Sequence, residues 1–251
     1  MIIDDIVRKT GERVLKLPFT VPVFPCGERR PFKHALASVR YKKAVIAEMK
    51  FSSPSKGLIK KEPDIRALAH TFKEGGASAI SVLTEPYYFG GSLETIAIVK
   101  EEVSLPVLRK DFIIDERQLY ETRSAGADAV LLIAGILGDR LSSFVQSSMA
   151  LGLEPLVEVR NKKEAACAIA SGAEMIGINN RDLTTLTINL STTANLSPMI
   201  REAGRLVVSE SGFVWPCDVR YLDEHADAYL IGSSIMAAEN PQKRLEGFVY
   251  A

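Results

Sequence analysis

The sequence predicts a (β/α)8 barrel, the TIM-barrel architecture, with an N-terminal helical extension, and three observations carry that prediction. Its 251 residues suit one such domain. Eight short apolar runs alternate with stretches of helical spacing. A small turn motif recurs before every second run.

In chain order, residues 1–40 precede the first run. They hold an amphipathic helix near Asp4–Leu17, a proline-rich passage (Pro18, Pro22, Pro25, Pro31) and a short helix near Phe32–Val39. This segment reads as an extension packed on the barrel, so that residues 1–251 form a single domain. It is expected to cap the site, and its removal to weaken substrate binding more than stability. The predicted strands are Val45–Met49, Ala79–Leu83, Pro106–Arg109, Ala129–Ile133, Pro155–Val159, Met175–Ile178, Leu206–Ser209 and Ala228–Ile231. Each is apolar nearly throughout, as strands covered on both faces must be. Helical spacing between them is clear at Ile65, Leu68, Ala69 and Phe72, and at Leu119, Thr122 and Arg123. The turn motif is Gly76-Ala77-Ser78, Gly126-Ala127-Asp128, Gly172-Ala173-Glu174 and His225-Ala226-Asp227, before strands two, four, six and eight. Two-strand units repeated four times favour a closed barrel over a doubly wound sheet, which has a switch point instead.

Composition narrows the function. Lys and Arg number 31 and Asp and Glu 31, so no net field draws the chain to nucleic acid or a membrane surface. The longest apolar run, Ala129 to Leu137, is well short of the ~20 residues that span a bilayer. The start, Met1 to Asp5, lacks the pattern of a secretory signal. Cys26, Cys167 and Cys217 form no disulfide framework or paired-thiol motif. A cytoplasmic protein is expected.

Barrel enzymes assemble their sites at the C-terminal ends of the strands. Here those ends are polar: Glu48-Met49-Lys50, Arg109-Lys110-Asp111, Glu158, Asn179-Asn180-Arg181-Asp182 and Glu210-Ser211-Gly212. Period-two alternation puts Glu48 and Lys50 on the face of Ile46, Lys110 on that of Leu108 and Glu158 on that of Leu156. If those apolar residues face the axis, two lysines and two glutamates converge on the mouth. A single charged strand end is ordinarily solvated or ion-paired; four in phase on odd strands point to use, since buried charge is costly. Arg109, out of phase, reads as structural. Ser53-Pro54-Ser55-Lys56-Gly57, Ser211-Gly212 and Gly232-Ser233-Ser234 follow strands one, seven and eight. A Gly-Ser pair alone is more often a helix cap, but loops after strands seven and eight commonly hold phosphate in barrels. The three histidines, His34, His70 and His225, are scattered, which disfavours a histidine metal site or a Ser-His-Asp triad. Without a P-loop or a Gly-x-Gly-x-x-Gly after a strand, nucleotide cofactors are disfavoured too.

Taken together, Ile46-Ala47-Glu48-Met49-Lys50, Ser53 to Gly57, Leu83-Thr84-Glu85, Phe89 to Ser92, Pro106 to Phe112, Leu156 to Val159, Gly177 to Leu183, Ser209 to Gly212 and Ile231 to Ser234 resemble the indole-3-glycerol-phosphate synthase family. The resemblance runs from about residue 30 to the end, and Lys110-Asp111-Phe112 with Asn179 to Leu183 is its most specific part. It implies ring closure, decarboxylation and dehydration of a phosphorylated carboxyphenylamino sugar in tryptophan biosynthesis, with no cofactor and no metal. It implies Lys110 as general acid, Glu158 as base or orienting group, Glu48 and Lys50 as a second acid–base pair, and Glu210 and Asn179 as groups that position and polarise the substrate. Arg181 is implied as partner of the substrate carboxylate. Ser53, Ser211, Gly212, Gly232 and Ser233 are implied for the phosphate, and Phe89, Phe112, Leu131 and Leu183 for the aromatic ring. The expected partner is the small phosphorylated substrate, with neither nucleic acid nor membrane; the chain is expected as a monomer, with other tryptophan-pathway enzymes as candidate partners. Two alternatives stay open: another phosphosugar barrel enzyme, such as the preceding isomerase, which needs only one acid and one base, and a silent barrel that binds a phosphometabolite, which needs only the phosphate loops.

Overall fold

The computed structural model describes residues 2–18, 28–54, 57–61, 63–182 and 185–251. Leu183, Ser55, Lys56, Pro22, Pro25 and Cys26 lie outside the described residues. Eight parallel strands close into a barrel: β1 (Ala44–Met49), β2 (Ala79–Leu83), β3 (Val107–Lys110), β4 (Ala129–Ile133), β5 (Glu154–Val159), β6 (Met175–Asn179), β7 (Leu206–Glu210) and β8 (Ala228–Ile231). Sequential strands are neighbours all the way round, and β8 returns to pair with β1, Ile46 opposite Leu230. Three strands run one residue further than their apolar stretch suggests. Lys110 pairs with Leu83 and Asn179 with Glu210, so the polar terminal residues are part of the ladder and not of the loops.

The barrel separates two sets of apolar side chains. Ile46, Leu108, Leu156 and Val208 fill the interior with Ala79, Leu131 and Met175. Val45, Ala47, Val107, Val157 and Val207 face the helices outside. This is the alternation on which the phase of Glu48, Lys110 and Glu158 depends. The turn motif before the even strands also has a physical reason. Gly76, Gly126 and Gly172 take φ near +85°, a left-handed conformation that ends the preceding helix. Asp128 and Asp227 then accept the N–H groups of Val107 and Val207, tying each even strand to the start of the odd strand before it. Left-handed glycines also precede β5 and β7, at Gly152 and Gly204, so the turn is not confined to even strands.

The N-terminal helices sit at opposite ends of the barrel. Helix α1 (Ile2–Val14) lies at the strand C-termini, where Arg13 donates to Asp111 at 2.8 Å and Lys9 stands over the Tyr88 ring. Helix α2 (Phe32–Ala37) closes the other end: Phe32 and Leu36 are buried in the interior cluster, and the N–H groups of Phe32 and Lys33 donate to Glu154 at the start of β5. Removing residues 1–40 would therefore open the barrel floor as well as the mouth. Losing a buried Phe alone costs about 3–5 kcal/mol, so the deletion bears on stability as well as on substrate binding. Among the described residues no helix is long and apolar enough to cross a membrane.

Candidate active site

Each odd strand ends with an inward-facing charged residue two positions past an inward-facing apolar one. Glu48 follows Ile46, Lys110 follows Leu108, Glu158 follows Leu156 and Glu210 follows Val208. Barrel interiors are built from layers of four side chains contributed by alternate strands, and these four residues form the uppermost odd-strand layer. Lys110 Nζ lies 2.5 Å from Glu210 Oε2 and 3.5 Å from Glu158 Oε2. Lys50 Nζ lies 2.9 Å from Glu48 Oε1. Asn179 donates to Glu158 Oε1 at 3.0 Å and accepts the Arg181 N–H, so it orients that carboxylate from the adjacent strand.

Burial penalises all these charges, and their mutual attraction decides the outcome. For Lys110, burial disfavours the ammonium, but Glu210, Glu158 and Glu48 outweigh it and hold its pKa above the ordinary lysine value. For Glu48, burial is overcome by Lys50 and then Lys110, and its pKa falls. Glu210 goes the other way: burial dominates over the pull of Lys110, and Glu158 and Glu48 add repulsion, so its pKa is pushed from 4.5 up to about 7. Near neutrality Glu210 is thus partly protonated.

A pH dependence follows. Between 4.5 and about 7 the folded protein keeps a proton on Glu210 that the unfolded chain releases. Stability from this group is full below the lower value and is lost as pH rises through the upper one. Glu210→Gln, which cannot titrate, is expected to flatten that loss in urea unfolding between about pH 5 and pH 8. An unchanged slope would mean that another group titrates.

A cavity of about 730 Å³ opens above this layer. It is lined by Glu48, Lys50, Lys110, Glu158 and Asn179, by Ser53, Arg181, Ser211, Gly212, Gly232 and Ser233, and by Phe89, Phe112 and Leu131. Glu210 is not among the lining residues. It lies 1% exposed behind Lys110, with Oε2 against the ammonium. Phe89 and Phe112 stand with ring centroids 6.2 Å apart on one side, joined by Leu131 and by Ile6 of α1. Ser211 and Gly212 both have positive φ, 66° and 100°. Ser211 is one of three non-glycine residues so strained among the described residues, and such strain tends to accompany function. Arg181 makes no ion pair among the described residues; its guanidinium donates to the Leu186 carbonyl at 3.0 Å.

Three supporting residues escaped the sequence reading. Glu85, fully buried, accepts the N–H groups of Tyr87, Tyr88 and Phe89 and so shapes the loop that presents Phe89. Asn180 donates to the carbonyls of Glu210 and Ser211, clamping the end of β7. Asp111 accepts from Arg13, Arg109, Thr84 and the Phe112 N–H, linking α1 to the strand end beside Lys110. Their signal was only polarity at the ends of β2, β3 and β6, which does not distinguish a brace from a catalyst. Among the described residues no group of three His, Cys, Asp or Glu is arranged to hold a metal ion.

Comparison with known proteins completes the picture. A family profile described as indole-3-glycerol phosphate synthase matches residues 19–248. An indole-3-glycerol phosphate synthase of Thermoanaerobacter sp. (strain X514) is 40% identical, covering 99% of this chain and 97% of that protein. One from Aquifex aeolicus is 44% identical over 86% of this chain and 84% of its own length. Among solved structures, a thiamine phosphate pyrophosphorylase from Pyrococcus furiosus superposes with a TM-score of 0.60 at 17% identity, covering 83% of this chain and 94% of that one. That likeness concerns the fold alone.

Proposed function

The chain belongs to the indole-3-glycerol phosphate synthase family, and from that premise we propose which residues carry each step. The reaction converts 1-(2-carboxyphenylamino)-1-deoxyribulose 5-phosphate to indole-3-glycerol phosphate, CO2 and water in tryptophan biosynthesis, and the enzyme is a carboxy-lyase. The observation that carries the division of labour is the pairing of each lysine with its own glutamate on the cavity wall or behind it.

Ring closure comes first. A ring carbon attacks the substrate ketone, and the oxygen takes a proton from the Lys110 ammonium. The carboxylates around Lys110 keep that ammonium charged and aimed. Glu158, oriented by Asn179, stands as the base beside it. CO2 then leaves, its bonding electrons restoring the aromatic ring, so no electron sink is needed. Dehydration follows: Lys50 protonates the departing hydroxyl and Glu48 takes up the proton lost as the indole double bond forms. Glu210 serves as a positioning group for Lys110. Arg181, which makes no ion pair among the described residues, receives the substrate carboxylate. Ser53, Ser211, Gly212, Gly232 and Ser233 hold the phosphate, and Phe89, Phe112 and Leu131 hold the aromatic ring; Leu183 is assigned there on family resemblance. A doubly charged phosphate monoester does not cross membranes unaided, which supports a cytoplasmic reaction.

Separating the steps tests this division. With substrate labelled in its carboxyl carbon, Lys50→Ala is expected to release labelled CO2 in a single turnover while indole formation lags by about 10²-fold or more. Loss of both signals together would assign Lys50 to ring closure instead.

A further inference from the structure

Glu210 reaches Lys110 with only one of its oxygens. The other, Oε1, is buried and accepts no hydrogen bond among the described residues. It points over Gly177 in the middle of β6, where Gly177 pairs with Val208 of the strand that carries Glu210. A Cβ added at Gly177 would overlap Glu210 Oε1 and stand 3.2 Å from its Cδ. Gly177 has no positive φ, so its backbone conformation does not call for glycine; only the space does. A glycine inside a buried strand sacrifices packing and stiffness, and close approach of another group is the usual reason for it.

The same arrangement recurs across the barrel. Glu48 leans over Gly232 at the end of β8, where an added Cβ would lie 2.9 Å from the Glu48 Cδ and 3.0 Å from its Cβ. Each of these glutamates occupies the volume of a side chain missing from the preceding even strand, and each holds a lysine. Gly232 also belongs to the phosphate loop, which explains it twice. Gly177 does not line the cavity, so no ligand accounts for it.

We propose that Gly177 is a positioning residue for the reaction: its missing side chain opens the slot in which Glu210 seats its second oxygen, and thereby fixes the Lys110–Glu210 pair. This rests on the roles given to Lys110 and Glu210 above. Filling the slot drives the Glu210 carboxylate toward the cavity, away from its line with Lys110 Nζ. Because Oε1 then meets polar surroundings, the titration of the pair shifts with it.

The test is a double-mutant cycle on the intact enzyme, measuring kcat, KM and their pH profiles for Gly177→Ala, Glu210→Ala and the two combined. Gly177→Ala is expected to lower kcat on the order of 10²-fold, a loss typical of misplacing a reacting group by about 1 Å, with little change in KM. Its pH profile should be displaced from that of the parent. In the Glu210→Ala background the added methyl enters vacated space, and the further loss should stay within about twofold. Full activity with an unmoved profile in Gly177→Ala, or the same loss in both backgrounds, overturns the inference. If Gly177→Ala does not fold, recovery of the fold in the combined variant supports the clash, and failure of both overturns it. Full activity of Glu210→Ala would instead overturn the role given to Glu210, and that of Gly177 with it.

Discussion

Lys110→Ala is expected to lower kcat by about 10²–10⁴-fold while KM changes by less than about threefold. Lys110 is the cation of the mouth layer that faces two carboxylates at once, and it lines the cavity at the end of β3. Its raised pKa keeps the ammonium fully protonated at neutral pH, the state a proton donor requires. A donor held this way is strongly organised but gives up its proton reluctantly. The partial protonation of Glu210 eases that cost, because a neutral Glu210 pulls on the ammonium less than a charged one. Steady-state kinetics with purified variant and parent decide the matter. A loss confined to KM would show that Lys110 binds the substrate and donates no proton.

Arg109→Ala is expected to destabilise the fold by about 3–5 kcal/mol, the cost of breaking a buried ion pair and leaving one charge behind. Arg109 is 1% exposed and faces outward from the barrel. Its Nε donates to Thr84, its Nη1 to the Gln118 carbonyl and to Thr122, and its Nη2 to Asp111 and Glu121, all within 2.8–3.1 Å. The guanidinium thus fastens helix α3 (Arg117–Ser124) to the end of β3. Truncation leaves the buried Asp111 with Arg13 as its remaining cation. Arg109→Lys cannot reproduce a planar fork that serves five acceptors, and recovers only part of the loss. Equilibrium unfolding in urea measures it; a change below about 1 kcal/mol, the range of an exposed ion pair, would show that the network is solvated and weak.

The contrast between Lys110 and Arg109 shows what a sequence reveals and what it hides. Period-two phase separates them: Leu108 faces inward, so Lys110 joins the mouth and Arg109 the helix layer. The same arithmetic places Glu48 and Glu158, because a strand buried on both faces leaves its charged residues few places to go. Glu210 obeys the same phase, yet its neighbours decide its function. Whether its side chain rises into the cavity or folds back toward Gly177 is a rotamer choice set by a missing methyl on another strand. Such contacts between residues 33 positions apart leave no local signature. Helix α2 shows a similar limit: its apolar residues predict burial, but only barrel closure reveals that Phe32 plugs the floor while α1 covers the mouth. The phosphate loops were legible because glycine and serine after the last two strands serve a recurrent geometry. The braces at Glu85, Asn180 and Asp111 were not, because a polar residue at a strand end looks the same whether it holds a loop or a substrate.

The most direct test is to mix the purified chain with 1-(2-carboxyphenylamino)-1-deoxyribulose 5-phosphate and follow the fluorescence of the indole product. The charged layer at the barrel mouth predicts a catalytic rise in indole fluorescence with parent protein and its near absence with Lys110→Ala. A folded parent protein that yields no indole would contradict the account.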